Sequence, residues 1–468
     1  MAFTVATSSS KIDITSGTGN LSDLETAVDD AGIFTSTGQV FEVIGNRELE
    51  ISSGVTLNTT DGDTLQWNPT ANLSPVLDVV AGAILNIAQN TIIDFDTNRT
   101  HQGRMYSYGT VNCSGTEGNE VIFQNMGHHY LYMYDTTPWQ WDYVIWQNTI
   151  HVNNYLMYIF QTGISSANGP STAHVFNNIT VRGTGEATNF GNLLFYYTDM
   201  GKWTMDNWTV EAISNMYIRY GTTLKFTNST FQNMSNLVRS ESSVAGSPNM
   251  SHYDTSKNLI VFSGNVNQNM IVFENCTFDD VDSGVYGIYS INTPILLKNC
   301  TFDNQTYPIY ANGATVLLYG TTTYPVAPTA NIKYGGQGTV LHVRKLDITV
   351  LDENSDPLEN AIVHIRQKDA TREQWAFYTD SNGQIRCGGY DEDIYLVERE
   401  EYSNGNFVEW SDGTGDLVHV IDVSAGGYTV DSREVAMNQD REITVQLSVA
   451  PAGATTIYDS TFYGSTIY

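Results

Sequence analysis

Five acidic residues in the middle of the chain are the first candidates for chemistry, because glycoside hydrolysis needs two carboxylates a few ångströms apart across the scissile bond. The acids placed there are Asp135, Asp142, Asp199, Asp206 and Glu211. Their spacing singles out no pair, and the alternative is that they are scattered surface acids. A lyase would also need a basic cluster, and the chain has only 21 lysines and arginines in all. The sequence therefore leaves enzyme activity open and favours its absence.

Aromatic residues are dense in the same region. Sugars stack on exposed aromatic faces, so a flank rich in tyrosine and tryptophan predicts a glycan-binding surface. The predicted contacts are Tyr130, Tyr132, Tyr134, Trp139, Trp141, Tyr158 and Tyr196. The alternative is that these rings fill the core and a subunit interface, where tyrosine and tryptophan are also enriched. The sequence has no metal-spaced Cys/His set and no phosphate-binding loop, so neither a metal nor a cofactor is predicted.

A repeat built around an asparagine must position these side chains. It recurs about every 20 to 30 residues, with one gap of about two units. Its members are Asn125, Asn148, Asn178, Asn207, Asn228, Asn275 and Asn299. A large apolar residue stands two positions before each asparagine, and residues two apart share one face of a strand. Asparagine also tolerates left-handed backbone at a corner. The repeat therefore predicts the rungs of a parallel β-helix with one continuous apolar interior.

The N-terminal end of such a solenoid needs a cover, because an open sheet edge templates aggregation. Residues Ser22 to Glu25 read as a capping box. The apolar stripe that follows at helical spacing comprises Leu24, Ala27, Val28 and Ala31. Gly32 would end the helix. The sequence thus predicts a short amphipathic helix as a lid.

Composition bounds the partners. Fifty-one acids and 21 bases give a net charge of −30, which disfavours nucleic acid and anionic membranes. No apolar run reaches about 18 residues, so no transmembrane helix is predicted. The first residues lack the apolar stretch of an ordinary signal peptide, which suggests export by another route, and release by cell lysis is one such route. Cys276 and Cys300 hold the same rung position and are predicted to be reduced and buried. The alternative is a strained disulfide, to which stacked parallel Cβ vectors are poorly suited.

A different pattern begins after a connector rich in proline and glycine. Short strands and turns predict a small β-sandwich. Here the chain resembles the carboxypeptidase-regulatory-like family of immunoglobulin-type sandwiches. The matching residues are Val350, Asp352, Pro357, Leu358, Ala361, Ile362, Val363, Thr379, Asp380, Asn382, Gly383 and Tyr428. The segment from Asp391 to Gly415 departs from the family as an insertion. The resemblance implies an accessory role in adhesion or assembly.

The acidic solenoid with its helical lid resembles the right-handed parallel β-helix of phage tailspikes and tail fibres over about residues 20–320. The predicted divisions are an N-terminal arm and capping helix (1–40), the β-helix (41–320), a linker (321–343), the immunoglobulin-like sandwich (344–448) and a C-terminal tail that pairs with a neighbouring subunit (449–468).

The resemblance implies an all-β, homotrimeric structural protein of a tailed virus. Such a protein lies on the virion surface, outside the cell, beside other virion proteins, and binds a host glycan or receptor. Two alternatives stay open. One is a polysaccharide depolymerase, a hydrolase or lyase, on the same scaffold. The other is a microbial surface adhesin or filament subunit, which would need an export signal.

Overall fold

The structure, a computed structural model, describes the chain in a series of stretches. They are residues 3–45, 47–68, 75–95, 103–132, 139–147, 155–160, 174–183, 192–196, 204–213, 215–219, 224–233, 236–241, 259–260, 271–279, 286–291, 295–303, 307–312, 315–322, 333–335, 339–368, 375–386, 393–403, 406–409 and 418–451. In these stretches the chain forms one helix, α1 (Leu21–Val28), and 42 strands. The strands build two long sheets and one small sheet.

The first 34 strands belong mainly to the stacked part of the chain. They are β1 (Thr4–Thr7), β2 (Lys11–Ser16), β3 (Thr18–Asn20), β4 (Phe34–Thr37), β5 (Val40–Ile44), β6 (Glu48–Ile51), β7 (Thr56–Asn58), β8 (Thr64–Asn68), β9 (Val76–Val79), β10 (Ile84–Ala88), β11 (Ile92–Asp94), β12 (Gly103–Ser107), β13 (Thr110–Ser114), β14 (Val121–Gln124), β15 (Met126–Tyr132), β16 (Gln140–Gln147), β17 (Tyr155–Phe160), β18 (Val175–Arg182), β19 (Asn192–Tyr196), β20 (Thr204–Asp206), β21 (Thr209–Glu211), β22 (Asn215–Arg219), β23 (Leu224–Thr227), β24 (Thr230–Gln232), β25 (Asn236–Glu241), β26 (Leu259–Ile260), β27 (Ile271–Glu274), β28 (Thr277–Asp279), β29 (Tyr286–Ile291), β30 (Ile295–Lys298), β31 (Thr301–Asp303), β32 (Tyr307–Asn312), β33 (Thr315–Tyr319) and β34 (Lys333–Gly335). The remaining strands are β35 (Thr339–Leu351), β36 (Ile362–Gln367), β37 (Trp375–Tyr378), β38 (Ile394–Ser403), β39 (Asn406–Glu409), β40 (Val418–Ser424), β41 (Asp431–Ala436) and β42 (Arg441–Gln446).

Successive rungs stack in parallel. The first sheet has 13 strands, and from β2 onward each strand pairs in parallel with its neighbour in the next rung. The second sheet takes two strands from most rungs, one on each side of a tight corner, as with β27 and β28. In this sheet residues pair one to one, so that Leu224 lies beside Ile271 and Ile271 beside Ile295. The predicted fold class, an all-β parallel β-helix, is confirmed.

One apolar column runs through the interior of the stack. Phe226 pairs with Phe273, and Phe273 pairs with Leu297. All three side chains are fully buried. The Phe226 and Phe273 rings stack with centroids 5.6 Å apart and planes 5° from parallel. The predicted shared interior of the rungs is therefore confirmed at the positions that define it.

Asparagine makes the corner between the two strands of the second sheet. Five members of the repeat have φ between 51° and 56°, in the left-handed region, and they are Asn178, Asn207, Asn228, Asn275 and Asn299. A left-handed residue costs most side chains roughly 1–2 kcal/mol, and asparagine is one of the few that adopts it routinely. The repeat predicted this corner correctly for these five residues.

Asn125 does not belong to that corner, contrary to the prediction. The register that runs through Phe123 continues as Trp146, Val181, Val210 and Phe231. Phe123 therefore aligns with a residue that follows Asn178, not with one that precedes it. Asn125, with φ of 59°, makes the second corner of its rung, and Asn233 repeats that corner at 51°. Asn148 lies outside the described residues. Both corners follow an inward-facing apolar side chain at the same spacing, so the sequence pattern could not distinguish one corner from the other.

The N-terminal lid is present, with a cap shifted from the predicted one. Asn20 caps the helix: its Oδ1 accepts from the Asp23 amide at 3.0 Å, and Asp23 Oδ2 accepts from the Asn20 amide at 2.9 Å. The predicted box at Ser22 was two residues late. The helix ends at Val28, before the predicted Gly32, because Asp29 turns left-handed with φ of 47°. Among the described residues no helix is long and apolar enough to cross a membrane.

The C-terminal unit grows out of the solenoid sheet. The first part of β35 pairs in parallel with β33, and its second part pairs in parallel with β42. Strand β38 runs antiparallel along the other edge of β35. A separate antiparallel sheet, ordered β37-β36-β40-β41, shares one buried cluster with β35 through Val350, Val363 and Ile421. Strand β35 begins at Thr339, inside the segment predicted as a linker. Of the predicted tail, residues 452–468 lie outside the described residues.

The C-terminal unit also covers the flank of the last rungs. Four outward-facing residues in one column of the second sheet, here called the docking stripe, are Val272, Leu296, Leu317 and Leu341. All are buried in one cluster with Tyr395 and Leu396 of β38. Lower in the same column, Thr204 is exposed and Lys225 is half-buried. Burying one such apolar side chain contributes about 1.5–3 kcal/mol, so the stripe holds the two parts of the chain together.

Candidate functional site

Two of the three described carboxylates of the predicted catalytic set, Asp142 and Asp206, support corners. Asp142 Oδ1 accepts a hydrogen bond from Asn178 Nδ2 at 2.7 Å. Asp206 Oδ1 accepts one from Asn228 Nδ2, also at 2.7 Å. In each case the acid comes just before one corner and binds the corner asparagine of the following rung. Both carboxylates therefore hold the left-handed backbone that the fold needs.

The separation of these acids also argues against a catalytic pair. Asp142 pairs with Asn177, and Asn177 pairs with Asp206. Two rung steps of about 4.8 Å place the two acids roughly 10 Å apart. That is far beyond the roughly 5–5.5 Å of a retaining pair and at the outer limit of the roughly 6.5–9.5 Å of an inverting pair. Asp135 and Asp199 lie outside the described residues.

Glu211 is fixed on both sides by hydrogen-bond donors. Arg182 Nε lies 2.5 Å from Glu211 Oε1, and Gln232 Nε2 donates to Oε2 at 2.9 Å. Burial raises the pKa of this carboxyl, but the hydrogen bonds from Arg182 and Gln232 outweigh burial and hold the pKa below its ordinary value. A general acid needs a raised pKa, so Glu211 is poorly suited to protonate a leaving group.

The aromatic prediction is wrong for the two residues whose side chains are described. Trp139 and Trp141 are only 1% and 2% exposed. Their rings stack with centroids 5.8 Å apart, and Trp141 Nε1 donates to the Val111 carbonyl at 2.8 Å. They fill the core, which was the alternative reading. The other predicted contacts are Tyr130, Tyr132, Tyr134, Tyr158 and Tyr196, whose side chains lie outside the described part of the chain.

A cluster of carboxylates that the sequence reading missed lies on the outer face of the first sheet. One carboxylate oxygen from each of Glu48, Glu50 and Asp78 lies within 4.8 Å of the others. Glu50 pairs with Asp78 in the next rung, and Lys11 forms a salt bridge with Glu50. Lys11, Glu48 and Val76 pair with one another in three successive rungs. An alignment of the sequence on these three residues would have placed Glu48 in one outward column and Glu50 and Asp78 in the neighbouring one.

Burial and mutual repulsion both disfavour the charged form of Asp78 in this acid cluster. Burial, followed by the nearby charges of Glu48 and Glu50, raises the pKa of Asp78 to about 6. Oxygen ligands of this kind suit hard cations such as Ca²⁺, which takes about 6–8 of them. Three carboxylates would leave most of that shell to water. Proton uptake by Asp78 is the simpler relief of the repulsion, and it makes the cluster sensitive to mildly acidic pH.

A regular polar face runs along the strands after the corner. Five outward threonines, here called the threonine ladder, are Thr180, Thr209, Thr230, Thr277 and Thr301. Two residues further along each strand stands a second column, here called the acceptor column, made of Arg182, Glu211, Gln232, Asp279 and Asp303. All five threonines are half-buried. The signal in the sequence is a threonine two residues after each corner asparagine, which glycosylation sequons also match.

Comparison with known proteins adds little to these observations. No protein-family model matches the sequence, and no curated protein matches it. Among solved structures, the chain is similar to the periplasmic alginate epimerase AlgG, with 10% sequence identity and a TM-score of 0.40. That match covers 71% of this chain and 85% of the epimerase. A double mutant of the same enzyme matches at 10% identity and a TM-score of 0.39. At this level of similarity the activity of the epimerase is not transferred to this chain.

Proposed function

We propose that this chain is a structural attachment protein of a tailed virus. In this proposal the solenoid is a stiff shaft on the virion surface, outside the cell, and it displays a flank that binds a glycan or receptor of the host. The observation that carries the proposal is the unbroken register of the second sheet, which continues through β33 into β35. A continuous hydrogen-bonded stack resists bending, which a shaft requires.

Binding without catalysis agrees best with the described acids. Asp142 and Asp206 hold corner asparagines, and Glu211 is neutralised by Arg182. A structural role accounts for each of them. A depolymerase on this scaffold would have to draw its carboxylates from elsewhere in the chain.

The proposal assigns accessory and assembly roles to the rest of the chain. The C-terminal unit is an immunoglobulin-type sandwich of the carboxypeptidase-regulatory-like kind, and it ends the stack by pairing β38 against the free edge of β35. Capping of this kind protects an open sheet edge from aggregation. Three copies associate through tyrosine-rich faces of the first sheet, and other virion proteins hold the trimer on the particle.

Three measurements test this function. Antibodies against the purified protein should decorate tail or capsid appendages of virus particles in electron micrographs, and native mass spectrometry should give three times the chain mass. Purified protein should bind host cells. Labelling that is absent from particles, together with no binding to host cells, would reject the attachment role. Release of new reducing ends from host polysaccharides would favour the depolymerase instead.

A further inference from the structure

We propose that the threonine ladder is the contact surface for an extended, uncharged, linear polysaccharide that lies along the solenoid axis. This inference rests on the proposed attachment function and deepens it, because it names the flank and the class of ligand.

The geometry of the threonine ladder is that of a preorganised array. Thr209 pairs with Thr230, Thr230 with Thr277 and Thr277 with Thr301, so equivalent hydroxyls recur at every rung. Four steps of about 4.8 Å from Thr180 give a row about 19 Å long. Threonine is β-branched and stiff at χ1, so little entropy is lost when its hydroxyl is engaged. Within the described residues, these five hydroxyls make no hydrogen bond to another side chain and are left for a ligand.

Because the threonine ladder presents the same groups at every rung, it favours a ligand whose own groups recur along its length. Each rung offers the same hydroxyl and methyl, followed two residues later by a polar side chain of the acceptor column. A compact ligand would use one or two rungs. An extended sugar chain presents hydroxyl groups along its length and can meet every rung, which adds small contacts into useful affinity.

The charge of the acceptor column excludes other occupants. Beyond the Arg182–Glu211 ion pair, the column adds two acids, Asp279 and Asp303. Carboxylates accept hydrogen bonds from sugar hydroxyls. An anionic polysaccharide would be repelled by them. A second copy of this chain, with net charge −30, would bring like charge against this column. An uncharged hydroxyl-rich polymer meets neither penalty.

The placement of the ladder also leaves it accessible. The docking stripe, on the strands before the corner, is buried under the C-terminal unit. The ladder lies on the strands after the corner, and Thr277 and Thr301 stay half-exposed in the same rungs whose other flank is covered. Of these two columns of the second sheet, the ladder is the one whose five residues are all partly exposed.

The test replaces hydroxyls by methyl groups without changing shape. The test variant carries Thr209→Val, Thr230→Val, Thr277→Val and Thr301→Val, and valine suits a strand surface as well as threonine does. The matched control is Thr64→Val. Thr64 stands in the same column but is separated from the ladder by Ile92, Ile122 and Ile145. A second control replaces the same four threonines by serine, which keeps the hydroxyls.

Affinity electrophoresis supplies the readout. Native gels would contain hydroxyethylcellulose, xyloglucan or laminarin as neutral polymers, or alginate as the anionic one. The native protein should be retarded by at least one neutral polymer and not by alginate. The four-valine variant should bind at least about tenfold more weakly, because up to four hydrogen bonds of about 1 kcal/mol each are lost. The Thr64→Val and serine variants should bind as the native protein does.

Several results would overturn the inference without touching the attachment role. They are equal binding by the four-valine variant, equal loss in Thr64→Val, retardation by alginate alone, and no retardation by any neutral polymer while host cells are still bound. If the four-valine variant fails to fold by circular dichroism, Thr277→Val alone serves the same purpose. It should weaken binding about threefold or more, and unchanged binding would contradict the proposal.

Discussion

The docking stripe makes a sharp prediction through the single change Leu296→Ala. Leu296 and Leu297 are neighbours on β30 that point in opposite directions. Leu297 enters the solenoid core, whereas Leu296 lies in the cluster shared with the C-terminal unit. Both are 0% exposed. If the C-terminal unit is docked on the flank, truncating either residue is costly, but the damage appears in different places.

The magnitude follows from burial and from how far the site can collapse. Truncating a fully buried leucine to alanine costs about 2–5 kcal/mol. Leu296 is flanked by Val272 and Leu317 in adjacent rungs, and those rungs are held at fixed spacing by the sheet. The rungs cannot close the cavity, so only the covering strand can relax. We expect a cost of about 3 kcal/mol, in the middle of that range.

Hydrogen exchange combined with urea denaturation locates the damage. In Leu296→Ala, the amides of β38 (Ile394–Ser403) should lose protection while the inner rungs keep theirs. In Leu297→Ala, the loss should spread through the rungs around β30. The matched control is Thr204→Ala, which lies in the same column as Leu296 but is exposed. It should change stability by no more than about 0.5 kcal/mol.

Two outcomes would refute this reasoning. One is a cost for Leu296→Ala as small as that of Thr204→Ala, which would mean that the flank is not covered. The other is the same exchange pattern in Leu296→Ala as in Leu297→Ala, which would mean that the stripe belongs to the solenoid core.

Four further predictions concern pH, the corner and the thiols. The pKa of Asp78 is raised to about 6 in the folded protein, so the stability contributed by this group falls as pH rises from about 4 to 6. Asp78→Asn should therefore stabilise the protein at pH 8 by on the order of 1 kcal/mol after solvent screening. Thermal melts should show a much smaller gain at pH 4. Burial lowers the pKa of His419 to about 4 in the folded protein. The stability of the protein is therefore unaffected by this group above about pH 6.5 and decreases as pH falls from there toward 4. His419→Gln should remove up to roughly 3 kcal/mol of that loss of stability at acidic pH. At the left-handed corner, Asn228→Ala should lower the free energy of unfolding in urea by roughly 2–3 kcal/mol, because it adds backbone strain and removes a hydrogen bond. Asn228→Gly removes only the hydrogen bond and should cost about 1 kcal/mol. Equal costs for the two variants would contradict the corner assignment. Cys276→Ser should cost no more than about 1 kcal/mol in thermal melts, because Ser229 already occupies that position one rung below and donates to a strand carbonyl at 2.7 Å.

The stacked fold could be predicted because a solenoid repeats its requirements. Each rung needs an inward apolar residue and a left-handed corner. All six repeat asparagines that the structure describes meet both needs, five at one corner and Asn125 at the other. Register was harder. Phe123 and Phe176 both stand two residues before an asparagine, yet they occupy different columns. Nothing local distinguishes the two corners, because the distinction depends on which strand of the previous rung lies beside them.

The aromatic residues show a second limit of sequence reading. Tryptophan has an apolar body and a polar tip, so it suits a wet surface and a core with a free carbonyl equally well. Trp141 found that carbonyl at Val111, in the adjacent rung. The partner is 30 residues away in the chain, so its availability could not be read from the neighbourhood of Trp141. The structural role of Asp142 and Asp206 could not be predicted for the same reason, since their hydrogen-bond partners lie in the next rung.

One feature of the sequence does predict that the C-terminal unit packs against the solenoid. Strands with one wet face alternate apolar and polar residues, whereas strands buried on both faces read as continuous apolar runs. The second sheet alternates in its middle rungs, as in Leu224 to Thr227. It then changes to continuous runs in three successive rungs, which are Ile271–Phe273, Ile295–Leu297 and Val316–Leu318. The strands after the corner in the same region keep their alternation, as in Thr277 to Asp279. The change therefore predicts cover on one flank only, and it leaves the threonine ladder as the flank of these rungs that a long ligand can reach.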